Sequence, residues 1–238
     1  MPPTIVLVHG AFAESASWDR VIDPLLNAEH RVIAAANPLR SVTADAAAVS
    51  DVVRSIEGPV VLAAHSYGGA VISNVDADAG EIVGLVYVNG FAPDAGDTAF
   101  SLAGMFPGST LGEETVQPVS RSDGTTDLYI KQDRFPATFC ADVPAPQAAR
   151  MAVTQRPATQ EALVEPSGER PLWKDVPSWF LIGEKDLIIP RALQHFMAER
   201  AGAQHTIEIP GASHALTVSQ PEATAQLILE AAALRVPA

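Results

Sequence analysis

The stretch VVLAAHSYGGA, Val60 to Ala70, decides how the rest of the chain is read. Val60–Ala64 suit a buried strand. His65, Ser66, Tyr67, Gly68 and Gly69 follow, and then a helix-like apolar pattern resumes. One glycine is enough to turn a chain, yet Ala64 lies two positions before the serine and two glycines come after it. A sharp strand–turn–helix accounts for that choice. The hinge residue is forced into a strained backbone conformation, and its neighbours must be small because the strand and helix backbones nearly touch. The string A-H-S-Y-G departs from G-x-S-x-G by one methyl group. Such a turn holds Ser66 Oγ clear of the backbone, above a helix N-terminus that favours developing negative charge. A plain helix N-cap is the other reading of Ser66, since serine is favoured there.

Working outward, strand-like runs alternate with helix-like segments. The strands are expected at 4–9, 31–36, 60–64, 82–89, 178–183 and 205–211, and the helices at 15–28, 43–56, 67–79, 190–201 and 221–235. Most of the strand runs are continuously apolar, as strands buried on both faces are, which argues for a parallel sheet covered by helices. In the second helix, Val49, Val52, Val53 and Ile56 form an apolar stripe that Asp45 and Ala48 precede. Pro221 and Glu222 suit a first helical turn. The alternation means an α/β protein.

The rhythm stops after Asn89 and resumes at Ser178. Residues 91–175 hold nine of the 19 prolines and scattered aromatics. A structureless loop of that length is not expected inside a compact domain. Residues 91–175 are therefore assigned to a small, mostly helical cap, with helical spans at 125–134 and 144–155. Residues 1–90 and 176–238 form the core.

Composition narrows the function. With 238 residues the chain can bury about 70–75% of its unfolded surface as one domain with an insertion. Lys+Arg number 15 against Asp+Glu 28, giving a formal net charge of −13, which argues against a nucleic-acid partner. One cysteine, Cys140, excludes an internal disulfide and a Cys-based zinc site, and it reads as a small buried apolar residue. The N-terminus has neither a basic n-region nor a long apolar h-region. No apolar run approaches the ~20 residues of a membrane span. A cytoplasmic protein without a membrane partner, monomer or homodimer, is expected.

A serine hydroxyl needs a base. The last strand run ends in PGASHAL, which puts His214 in a small-residue loop on the sheet edge that carries Ser66. SWFLIG runs into GEKDLIIP, which puts Asp186 just past another strand. An acid there can orient the imidazole and stabilise its charged form. Separately, each is an ordinary loop or turn residue. Jointly, Ser66, Asp186 and His214 each follow a different sheet strand, in the chain order Ser–Asp–His. An oxyanion hole would draw one N–H from Tyr67 and one from the HGAF loop, His9 to Phe12. Ala11 is the better donor and Phe12 the alternative. His9 and His65 read as structural, and Lys185 as a surface charge. Trp18 reads as packing between the first helix and the core. Phe12, Phe100, Phe106, Phe135 and Phe139 are candidates for an apolar substrate pocket, with Met105 and Met151 beside them.

With HGAF, AHSYGG, GEKD and GASH in this order and spacing, the sequence resembles an α/β-hydrolase over nearly its whole length. It is similar to the compact group that includes plant methyl esterases and hydroxynitrile lyases. Those proteins also begin at the strand leading into HG and carry a cap between the sixth and seventh superfamily strands. The resemblance implies a six-stranded, mainly parallel sheet ordered 4-3-5-6-7-8 in the superfamily's naming, with helices on both faces. The lyases place a lysine directly after the histidine, where this chain has Ala215, so hydrolysis is the implied chemistry. The implied mechanism is acyl transfer from a small apolar ester or lactone through an acyl-enzyme on Ser66, with no metal or organic cofactor. Perhydrolysis, acyl transfer to another acceptor, carbon–carbon cleavage and ligand binding in a signalling protein are the alternatives on the same fold.

Overall fold

A computed structural model describes residues 1–233. The core alternates strand and helix: β1 (Thr4–Val8), α1 (Asp19–Asn27), β2 (Val32–Ala35), α2 (Val42–Arg54), β3 (Pro59–His65), α3 (Tyr67–Ser73) and β4 (Glu81–Val88). The cap segment follows, with α4 (Ala99–Ala103), β5 (Val116–Ser120), β6 (Thr126–Ile130), α5 (Phe135–Phe139), α6 (Ala145–Thr154), β7 (Ala158–Thr159) and α7 (Gln160–Val164). The chain then returns through β8 (Ser178–Gly183), α8 (Arg191–Arg200), β9 (His205–Ile209), α9 (Leu216–Ser219) and α10 (Pro221–Ala233). Residues 234–235 of the expected last helix lie outside the described residues.

Six parallel strands pair in the order β2-β1-β3-β4-β8-β9, the order the resemblance implied. Alternate residues of each strand enter opposite layers. Val6, Val8, Leu62, Ala64, Leu85 and Tyr87 face α2, α3 and α8. Ile5, Leu7, Val61, Ala63, Val86 and Val88 face α1 and α10, with Trp18 buried among them. Both faces are covered, so the strand runs are apolar without alternation. Each fully buried Val, Leu or Ile contributes about 1.5–3 kcal/mol relative to exposure. Among the described residues, no helix is long and apolar enough to cross a membrane.

Two expectations are corrected. The span 125–134 is not helical: Thr126–Ile130 forms β6, which pairs antiparallel with β5 and β7. The cap therefore carries a three-stranded sheet beside its helices. The third core helix ends at Ser73, short of residue 79, because the Asn74 side chain donates to the Ala70 carbonyl at 2.9 Å and Asn74 itself leaves the helical conformation.

The cap shares one apolar cluster with the sheet face it covers, through Leu102, Ile130, Phe135, Phe139, Ala152 and Trp173. Trp173 Nε1–H donates to the Pro93 carbonyl at 2.7 Å, and Arg200 reaches Asp97 at 3.0 Å and the Ala92 carbonyl at 2.9 Å. The Trp173 bond ties the two ends of the cap together, and the Arg200 bonds fasten its root to α8.

The tightest backbone approach is at Gly69, where a Cβ would lie 2.3 Å from the Phe91 carbonyl oxygen and 2.9 Å from the Phe91 nitrogen. Gly69→Ala is expected to cost about 1–3 kcal/mol in urea denaturation. At Gly112, a Cβ meets nothing within 4 Å, and Gly112→Ala should stay within about 0.5 kcal/mol of the wild type.

Candidate active site

Ser66 sits between β3 and α3 at φ 56°, ψ −126°. A residue other than glycine pays roughly 1–3 kcal/mol for such a conformation. Four hydrogen bonds hold it. The Ser66 amide donates to the Asn89 carbonyl at 3.1 Å and the Val88 carbonyl at 3.3 Å. The Ser66 carbonyl accepts from Gly69 at 2.9 Å and Phe91 at 3.1 Å. Three glycines clear the space. A Cβ on Gly68 would lie 2.6 Å from the Val8 carbonyl oxygen, and one on Gly10 would lie 2.6 Å from Ser66 Cβ and 3.2 Å from Oγ. The Ser66 side chain makes no cap bond to α3, so the N-cap reading does not hold.

His214 lies in the loop after β9. Its Nδ1–H donates to Asp186 Oδ2 at 2.7 Å, in the loop after β8. That bond leaves the lone pair on Nε2, which is buried and has no hydrogen-bond partner among the described residues. No hydrogen bond joins Nε2 to Ser66 Oγ in this structure. Contacts of this kind are commonly long before substrate binds. The Asp186 carboxylate is buried but fully satisfied: Oδ1 accepts from the Ile188 and Ile189 amides at 2.8 and 2.9 Å, and Oδ2 also accepts from Gln194 Nε2 at 3.0 Å.

Two residues outside the sequence reading hold these loops. Asn89, at the end of β4, donates from Nδ2 to the Ser213 and His214 carbonyls at 2.9 and 3.1 Å, and its Oδ1 accepts the Gly183 amide at 2.7 Å. Its backbone carbonyl accepts the Ser66 amide, so one residue ties the elbow to both other loops. Gln194 on α8 fixes Asp186. The available signal for Asn89 was a polar residue ending a parallel strand on the edge that carries Ser66. Gln194 had no signal of that kind.

His65 and His9 are structural. His65 Nε2–H donates to the His214 carbonyl at 2.8 Å, and its ring lies 4.6 Å from the His214 ring. Burial, with His214 beside it, holds its pKa well below the ordinary histidine value. His9 Nδ1–H donates to the Gly10 carbonyl at 3.0 Å, and Nε2 accepts the Asn37 amide at 3.2 Å. Burial, with a smaller contribution from Arg156, lowers the His9 pKa to about 4.

Phe12, at φ 60°, spends its amide on the Arg156 carbonyl at 2.9 Å. It is therefore unavailable as an oxyanion donor. The Ala11 and Tyr67 amides have no acceptor among the described residues. The candidate aromatics separate. Phe139 packs edge-on to the His214 ring at 4.8 Å, and Phe135 stacks behind Phe139 at 4.8 Å. Phe106 packs instead on Phe196 of α8. Phe100 is 72% exposed on α4, which corrects its expected place in a pocket: its helix buries Ala99 and Leu102 and turns this ring outward. A cavity of about 190 Å³ lies between the loop after β1 and α6, lined by Phe12, Ala13, Met151 and Val218 with Arg150 and Glu14; Ser66, Asp186 and His214 are not among its lining residues.

Strained serine, histidine–carboxylate pair and free amides on one sheet edge define a hydrolase-type site. Residues 5–227 match the alpha/beta hydrolase family, and the chain belongs to it. It is 28% identical over 246 residues to a pyrethroid hydrolase of Sphingobium wenxiniae, covering 95% of this chain and 86% of that one. It is 34% identical over 113 residues to a carbendazim hydrolyzing esterase of a Nocardioides species, covering 41% and 46%. The structure of polyneuridine aldehyde esterase superposes with a TM-score of 0.79 at 19% identity, covering 97% and 99%.

The buried neutral His9 makes stability depend on pH. Its folded pKa of about 4 lies below the ordinary histidine value of 6.5, so the unfolded chain takes up the proton first as pH falls. The stability is present above about pH 6.5 and is lost toward pH 4, by roughly 3 kcal/mol for this one group. Urea midpoints at pH 7 and pH 4.5 should differ less in His9→Gln than in the wild type.

Proposed function

We propose that the protein is a serine hydrolase of carboxylic esters, acting through an acyl-enzyme on Ser66. The observation that carries this reading is the state of His214. Its Nδ1–H is committed to Asp186, and its Nε2 is left unprotonated and unengaged among the described residues, while the ring of His65, the residue before Ser66, lies tilted against it at 4.6 Å. The names of the Sphingobium and Nocardioides relatives, a hydrolase and an esterase, support it.

In this mechanism Ser66 Oγ attacks the ester carbonyl and gives its proton to His214 Nε2. Asp186 stabilises the imidazolium and holds the ring in place. The Ala11 and Tyr67 amides receive the oxyanion, each contributing roughly 2.7–4 kcal/mol to the barrier reduction. The tetrahedral intermediate collapses, the carbon–oxygen bond to the alcohol breaks, and His214 protonates the departing oxygen. Water then attacks the acyl-enzyme with His214 as base, releasing the acid and restoring Ser66. Phe139 against the imidazole favours an apolar substrate half, and Phe12, next to Ala11, shares a cavity with Met151 and Val218. The place of work is proposed to be the cytoplasm, with a small ester or lactone as the only required partner.

Intact mass after a fluorophosphonate probe tests this directly, with p-nitrophenyl acetate to octanoate assayed in parallel. The wild type should gain one adduct and turn over the esters. Ser66→Ala should gain none and lose roughly 10⁴- to 10⁶-fold in kcat. An equal adduct on Ser66→Ala, or none on the wild type, would refute the reading.

A further inference from the structure

Tyr67 is the residue whose amide follows the nucleophile, yet its side chain points away from the site into the core. It is 1% exposed, and its phenol donates to Asp45 Oδ2 at 2.8 Å. Asp45 lies on α2, is 0% exposed, and also accepts the Arg40 amide, at 3.0 and 3.1 Å. A carboxylate buried at this depth is costly. Burial raises its pKa above the ordinary aspartate value. A neutral residue could fill the same space on the apolar face of α2.

The carboxylate has a second connection. Arg40 reaches from the loop after β2 into the cap, donating to Asp127 Oδ1 on β6 at 2.7 Å and to the Pro157 carbonyl at 2.9 Å. The Arg40 carbonyl accepts Thr159 Oγ1–H at 2.5 Å, and the Leu39 carbonyl accepts the Thr159 amide at 3.0 Å. Three residues earlier, the Arg156 carbonyl takes the amide of Phe12, the neighbour of Ala11. Residues 156–159 of the cap thus touch the support of both free amides: the Ala11 side directly at Phe12, and the Tyr67 side through Arg40 and Asp45.

We infer that Asp45 is a positioning residue for the oxyanion hole, holding the Tyr67 amide in place through the Tyr67 phenol, and that Arg40 links this hold to cap residues 156–159. The inference rests on the ester-hydrolase reading above. It assigns to the cap stretch a role in building the oxyanion site, in addition to covering it. The bond is made to a side chain remote from substrate, so its loss should weaken binding of the transition state and leave ground-state binding nearly intact.

The test is steady-state kinetics of the full chain on a p-nitrophenyl ester, with the Ki of a trifluoromethyl ketone, whose serine adduct carries an oxyanion, and with Tm for folding. Tyr67→Phe and Asp45→Asn should each lower kcat about tenfold with KM within about twofold. The ketone Ki should rise by the same factor as kcat falls. The double variant should be no worse than either single one, because both remove the same bond. Arg40→Met, which spares the Arg40 amide, should give the same split at smaller size. Arg121→Gln, on the far side of Asp127, should leave kcat and Ki unchanged. Unchanged kcat and Ki in folded Tyr67→Phe and Asp45→Asn, beside an active wild type, would overturn the inference alone. So would losses confined to KM, or additive losses in the double variant. A wild type without turnover would overturn the ester-hydrolase reading and this inference together.

Discussion

Ser66 stands in a backbone conformation that only surrounding structure can maintain. Its positive φ is opposed by sterics at every residue but glycine, and both its amide and its carbonyl are hydrogen-bonded to the chain just after β4. Those bonds require α3 to start against β1 and β4 at distances that leave no room for a Cβ at positions 10, 68 and 69. The strand order follows from the same need. Ser66 must leave an interior strand so that loops from strands on either side can converge on it, and β3 lies between β1 and β4.

The polar groups around the site are expensive to bury and are nearly all paired. Asp186 accepts four hydrogen bonds from protein groups, which offsets its loss of water. Asn89 spends both ends of its amide between loops that are remote in sequence. Among the described residues, the exceptions include two ring nitrogens, His214 Nε2 and His65 Nδ1. The first belongs where a proton would be received. The second is the cost of using His65 Nε2–H to pin the His214 carbonyl.

Much of this was legible from sequence because the signals are local. A strand buried on both faces must be continuously apolar, and an elbow must be small on both sides of the serine. Helix α2 was legible from its stripe of Val49, Val52, Val53 and Ile56, but the burial of Asp45, one turn before Val49, was not. β6 was misread because its inward positions include Asp127, whose charge is neutralised by Arg40 and Arg121. With a charge at an inward position, the alternation typical of a strand was hidden. The pocket residues were least legible. Phe100 and Phe139 are the same residue type in the same cap, and only tertiary packing sends one to solvent and the other onto His214.

The central claim is that Ser66, His214 and the Ala11 and Tyr67 amides act on one carbonyl group. A crystal structure of the chain phosphonylated at Ser66 tests it most directly. The account predicts a phosphonyl oxygen about 2.7–3.1 Å from both amides, with Phe12 still bonded to Arg156 and Nε2 of His214 turned toward the Ser66 Oγ–phosphorus bond. A phosphonyl oxygen held instead by the Phe12 amide, or directed to solvent with both amides unengaged, would contradict it.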